Sequence, residues 1–204
     1  MQQNTLAPWA EAVPDVTYPL SADQLLGLQD DEWNYELVDG RLVRMAPTGL
    51  EHLDITERLY ETLRTFVLSR GLGRVTLPDT GFRLSKPGEP DTVLSPDVAF
   101  VSIHRIQQLP APGTRERKHF LAVAPELAAE IVSPDQHHPE MAKKAQLYLE
   151  KGVRLVWVLW PDQQQVDVWR PGSTAPVATL GMTETLDGWD VVPGFKLPVA
   201  DLFP

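Results

Sequence analysis

A chain of 204 residues with 43% hydrophobic and 23% charged residues is long enough for one α/β or α+β domain with a full core, short for two, and too apolar to be disordered. Its 28 acidic and 18 basic residues leave a net charge of −10, which excludes a broad electrostatic footprint for nucleic acid, so any polyanion must be drawn in locally. The absence of cysteine excludes disulfides, thiolate metal sites and a cysteine nucleophile, and with no membrane-length apolar stretch and no signal-peptide pattern a soluble, cytoplasmic protein without membrane contact is expected.

Residues 1–19 carry Pro8, Pro14 and Pro19 and little periodicity, which predicts an extended arm ahead of a single domain over 20–204. Ser21 and Gln24 form a capping box that opens a short helix over Ala22–Leu28. Trp33–Val38 and Arg41–Met45 flank Asp39-Gly40, the strongest short hairpin signal, and so are expected to be two antiparallel strands. Glu36 lies in the first of them, as a solvated cross-strand residue or as part of a site.

Thr48 and Glu51 suggest a second capping box, starting a helix that runs to about Ser69 and stops at Gly71. Ile55, Leu59, Leu63 and Phe66 form its apolar stripe, with His52 on the same side in the first turn, poised either to reach a site beside the sheet or to bond locally. Arg74–Leu77 and Thr80–Leu84 follow as strands. Ser95–Val101 is another, with Asp97 as its only charge. The connection His104–His119 holds Arg105, Arg115, Arg117 and Lys118 against Glu116 alone, the most basic stretch of an acidic chain. It is either a solvated loop or, with Arg115, Arg117 and Lys118, a surface for a polyanionic substrate.

Leu127–Val132 is an apolar run broken by Glu130 and bounded by Ser133-Pro134, the pattern of a buried strand. A buried carboxylate is tolerated only when paired, hydrogen-bonded or bound to a metal. Pro139 suits the first turn of the next helix and Gly152 the residue past its end, predicting about three and a half turns over residues 139–151. At roughly 100° per residue, Met141, Ala145, Tyr148 and Leu149 share a face. Lys144 borders that face in line with Tyr148, and Lys143 points away. Arg154–Trp160 is then a buried strand and Val166–Arg170 its hairpin mate, Asp187-Gly188 turns a further hairpin, and the apolar tail Val192–Pro204 needs a surface to dock on. The order of elements is that of a mixed α/β sandwich.

Two carboxylates on adjacent strands and one lysine are what metal-assisted phosphodiester hydrolysis requires. Asp97 and Glu130 would hold a hard cation, Mg²⁺ or Mn²⁺, and Lys144 would orient the attacking water or stabilise charge on the phosphate. The plainer alternative is a buried Glu130–Lys144 ion pair.

Five stretches in order, YELVDGRLVRMAPTGLEH, SPDVAFV, LAAEIVSP, KKAQLYLEKGVRLVWVL and PGFKLPVADLF, resemble the restriction-endonuclease family often called Uma-two, within the PD-(D/E)xK nuclease-like superfamily. The resemblance spans about residues 20–203. It implies a restriction-endonuclease-like fold, a central mixed β-sheet flanked by helices with added N- and C-terminal β-hairpins. It also implies a Mg²⁺-dependent endonuclease acting on DNA, or a catalytically inactive nuclease-fold module for nucleic-acid or protein interaction. Pro96-Asp97 matches the PD and Glu130 the (D/E). Val132 stands where the superfamily has lysine, and Lys144 matches the lysine that this family takes from the following helix. Glu36 and His52 match accessory site residues, and Glu140 stands where family members often have Asp. A homodimer is the other place to look for a substrate surface.

Overall fold

Residues 17–28, 35–45, 48–114, 119–134 and 136–203 are described in this computed structural model. Most of the expected N-terminal arm, together with Arg115, Arg117 and Lys118, lies outside them.

The first element among the described residues is helix α1 (Ala22–Leu26), whose capping box forms as expected: Ser21 Oγ accepts from the Gln24 amide and Gln24 Oε1 from the Ser21 amide. Strands β1 (Tyr35–Val38) and β2 (Arg41–Arg44) pair antiparallel around Asp39 and Gly40. Both turn residues have positive φ, 47° and 75°, as a tight hairpin turn demands. A Cβ on Gly40 would also sit 2.4 Å from Pro19 Cβ, so the turn is glycine for two reasons.

Helix α2 spans Leu50–Ser69. Its N-cap is Gly49 with no side-chain capping bond, which corrects the expected Thr48–Glu51 box: the helix starts one residue later, leaving Glu51 at the wrong position to reach back. Ile55, Leu59, Leu63 and Val67 are its fully buried stripe, and Phe66 packs half-buried against the same core. The chain continues through β3 (Gly73–Thr76), β4 (Phe82–Arg83), β5 (Val93–Leu94) and β6 (Val98–Ser102). A short helix α3 (Ile103–Gln108) follows where an irregular connection was expected, started by Ser102 Oγ accepting from the Arg105 amide. Arg105 is committed to structure, bonded to Glu126 and to the carbonyls of Ala124 and Gly152.

Strand β7 (Leu127–Ile131), helix α4 (His138–Glu150), β8 (Leu155–Trp160) and β9 (Gln165–Trp169) form the centre. After β10 (Ala178–Leu180), strands β11 (Thr185–Asp187) and β12 (Lys196–Pro198) pair antiparallel. Residues 188–195 loop out between them, so Asp187-Gly188 begins a long connection and not a two-residue turn. Gly188 is forced by crowding, since its Cβ would lie 2.3 Å from the Val192 carbonyl oxygen.

The main sheet has the order β10-β9-β8-β7-β6-β3 and is mixed: β7 runs parallel to β8 and every other neighbouring pair is antiparallel. A second sheet, β2-β1-β5-β4, holds the N-terminal hairpin. Side-chain alternation splits the strands cleanly between two faces. Phe100, Leu127, Ala129, Leu155, Trp157 and Leu159 face α2 and the C-terminal tail, where Phe195, Leu197, Leu202 and Phe203 complete that core. Ala99, Val101, Ala128, Val156, Val158 and Trp160 face Met141, Ala145 and Tyr148 of α4.

Candidate active site

The pleat decides where the acids go. Glu130 shares parity with Ala128 and therefore projects to the α4 face. The β6–β7 register pairs Val98 with Ala129, so one step further sets Asp97, at the entry to β6, opposite Glu130 at the exit of β7. Residues directly opposed across antiparallel strands have Cβ atoms about 5 Å apart on one face. A direct bond fixes the alignment: the Ile131 amide donates to Asp97 Oδ2 at 2.7 Å.

Helix α4 crosses this end of the sheet with Lys144 turned inward and Lys143 exposed, as the periodicity predicts. Lys144 Nζ lies 3.0 Å from Glu130 Oε2 and 3.1 Å from Glu36 Oε2. Glu36, on β1 of the second sheet, is anchored by the Ser95 amide, which donates to Oε1 at 2.7 Å. At 3% exposure it is no solvated cross-strand residue. From the first turn of α2, His52 Nε2 stands 3.3 Å from Asp97 Oδ2, with Nδ1 3.4 Å from Thr56 Oγ1. Asp97, Glu130, Lys144, Glu36 and His52 thus converge on one place. Sequence reasoning missed Tyr148 as a polar member: its hydroxyl donates to Glu130 Oε1 at 2.6 Å. The available signal was its position four residues after Lys144 on the same face.

Burial governs the electrostatics. Asp97 and Glu130 are 7% and 5% exposed, and the Lys144 side chain 13%. Desolvation, and then the charges of Asp97 and Glu36, push the Glu130 carboxyl up to about 7 against the pull of Lys144 and Tyr148. Burial alone would lower the Lys144 pKa, but Glu130 and Glu36 outweigh it and raise it, so the side chain is an ammonium. Burial also works against a charged His52, yet its bond to Asp97 and the charges of Asp97 and Glu130 leave its pKa raised. The Tyr148 hydroxyl, pushed well up by burial and by Glu130, stays protonated and donates.

Three carboxylates therefore share this pocket with one permanent cation and a histidine. By donor type and by charge they fit a hard dication, which takes oxygen ligands and would relieve the repulsion that raises Glu130. They are not arranged as a ready cage, and among the described residues no group of three or more His, Asp and Glu side chains is. Glu130 and Glu36 instead close on Lys144, and Asp97 on His52 and the Ile131 amide. Beside them opens a cleft of about 340 Å³, with His52, Val132, Ser133 and His137 in its wall. His138, at the start of α4, stacks on Trp160 at the end of β8 with ring centroids 3.7 Å apart, closing one side. Ligands of open α/β sheets commonly bind at the carboxyl ends of strands, and β7 and β8 both end here.

A central mixed sheet flanked by helices is the fold expected of the restriction-endonuclease-like class. The chain belongs to the Uma2 family, described as "Putative restriction endonuclease", whose model matches residues 22–200. Its fold is similar to a crystal structure from Anabaena variabilis described as a "putative nuclease belonging to DUF820", with a TM-score of 0.71 and 23% identity over 91% of this chain and 98% of that one. Among curated proteins the chain has no match. No helix among the described residues is long and apolar enough to cross a membrane.

Proposed function

We propose that this protein is a metal-dependent endonuclease that hydrolyses phosphodiester bonds in DNA, with Asp97 and Glu130 as the ligands of Mg²⁺ or Mn²⁺ and Lys144 at the attacking water. The observation that carries this reading is the convergence of two cross-strand carboxylates with a helix-borne ammonium 3.0 Å from one of them, beside an open cleft. When bound, a dication supplies Lewis-acid polarisation of a phosphoryl oxygen and acidifies a water.

The chain's own residues do the rest. Asp97 is held by the Ile131 amide, so its carboxylate needs no reorganisation when substrate arrives. Lys144, an ammonium shared by Glu130 and Glu36, donates to the developing negative charge or aligns the nucleophile. His52 bonds Asp97 from the cleft side and orients it. Arg115, Arg117 and Lys118 supply the local positive surface that an acidic protein needs for a polyanion.

Cleavage of plasmid and oligonucleotide substrates with Mg²⁺, Mn²⁺ or EDTA tests the reading. Asp97→Asn and Glu130→Gln should abolish cleavage and metal binding in folded protein, and Lys144→Ala should lower turnover more than metal affinity. One feature favours a second reading, a nuclease-fold interaction module without catalysis: both oxygens of Glu130 are already engaged, by Lys144 and Tyr148. Folded protein that shows neither binding heat nor thermal shift at millimolar metal would favour the module over the enzyme.

A further inference from the structure

Helix α4 meets Glu130 with two groups one helical turn apart. Lys144 Nζ donates to Oε2 at 3.0 Å, and the Tyr148 hydroxyl to Oε1 at 2.6 Å. The two donors differ in kind. Lys144 is divided between Glu130 and Glu36 and sits on a flexible four-carbon stem. Tyr148 is wholly buried, its ring set among the side chains that α4 and the sheet share, so its hydroxyl has little freedom to leave.

We infer that Tyr148 is a positioning residue, one that fixes the plane of the Glu130 carboxylate so that it can serve as a metal ligand; the inference rests on the proposed reading of Glu130. A glutamate has three torsions, and one tethered only by Lys144 would lose its alignment whenever that lysine turned to water or phosphate. The tyrosine supplies a hold that does not depend on the lysine. It leaves room for a cation, because an ionised carboxylate has about four lone-pair sites and these two donors occupy one each. Glu36 is built the same way, with the fixed Ser95 amide on Oε1 and Lys144 on Oε2. The shared ammonium is thus the movable part, and each glutamate keeps its own rigid anchor when it moves.

Mn²⁺ titration calorimetry and metal-free thermal melts on the full chain, comparing the parent with Tyr148→Phe and Glu130→Gln, decide the matter. The phenylalanine keeps the ring and its packing and loses the donor. Its Mn²⁺ affinity should fall about 10- to 100-fold, the usual cost of removing an outer-shell partner. In cleavage assays the metal concentration for half-maximal rate should rise by a similar factor, with the rate at saturating metal much less changed. Para-aminophenylalanine at position 148, which returns an N–H donor to the same place, should recover most of the affinity, and it serves as the second variant if the phenylalanine form folds poorly. Parent-like Mn²⁺ affinity in Tyr148→Phe, or a para-amino form no better than the phenylalanine form, would overturn the inference and leave Glu130 as a ligand. A parent protein without Mn²⁺ affinity, or Glu130→Gln binding as tightly as the parent, would instead remove Glu130 from the ligand set and the inference with it.

Discussion

Glu130 is the residue at which folding and the proposed metal binding pull in different directions. The unfolded chain gives up its proton near the ordinary 4.5 and the folded protein near 7, so between those values the native state binds more protons and stability falls as pH rises. His52 acts in the same sense: its folded pKa lies above 6.5, and its contribution is complete below that value and lost as pH climbs through the raised one. The metal-free melting temperature should therefore decline from about pH 4.5 to beyond 7. Glu130→Gln should flatten the lower part of that decline and His52→Gln the upper part, and melts across the range that superimpose on the parent would show that neither group carries the effect. Metal affinity should run the opposite way, rising through pH 7 as the Glu130 proton leaves. The costly strand charge was legible at once, because an acid in an apolar run demands a partner. Tyr148 was not: periodicity put it on the apolar face, and only the pairing of α4 with β7 reveals where its hydroxyl ends.

At the level of elements, the signals that were readable are those written in consecutive residues. Asp39-Gly40 announced the first hairpin, and Gly40→Ala should cost about 1–3 kcal/mol in denaturant unfolding, since it demands a positive φ from a residue with a Cβ and drives that atom into Pro19. The divergence of Lys143 and Lys144 followed from helical angle alone. Signals spread over distant residues were harder. Thr48 looked like a cap because its spacing to Glu51 was right, yet the backbone enters the helix one residue later. Helix α3 is too short for periodicity to show, and its cap, Ser102, is the last residue of a strand. The tail was expected to need a docking surface, which proved to be the α2 face of the main sheet. There Phe195 meets Phe66 edge-on at 5.3 Å and Trp157 in a stack at 6.0 Å. Phe195→Ala should destabilise the protein by about 3–5 kcal/mol, as for other fully buried aromatics. A change below 1 kcal/mol in chemical denaturation would mean that the tail is dispensable to the core.

For the whole molecule, a net charge of −10 has to be reconciled with the polyanionic substrate proposed for it. Arg105 is already consumed by Glu126, which leaves Arg115, Arg117 and Lys118 as the dense basic group of the connection between α3 and β7. Each phosphate contact contributes a salt-dependence slope of about 0.9 on duplex DNA, so replacing all three with alanine should flatten the slope by about two to three units and leave metal affinity unchanged. An unaltered affinity and slope would move the substrate surface elsewhere, with a face formed between two copies of the chain as the next place to look.

The Ile131 amide, donating to Asp97 Oδ2 at 2.7 Å, also makes the site observable without any substrate. A proton held that close to a carboxylate oxygen is strongly deshielded, and its resonance tracks the electron density on that oxygen. Any cation that draws density from Asp97 should shift the Ile131 amide peak upfield in a ¹⁵N–¹H spectrum, in proportion to occupancy. Strand β7 therefore carries a spectroscopic gauge of its own site, readable with a closed-shell ion such as Mg²⁺ even in a variant whose chemistry has been switched off.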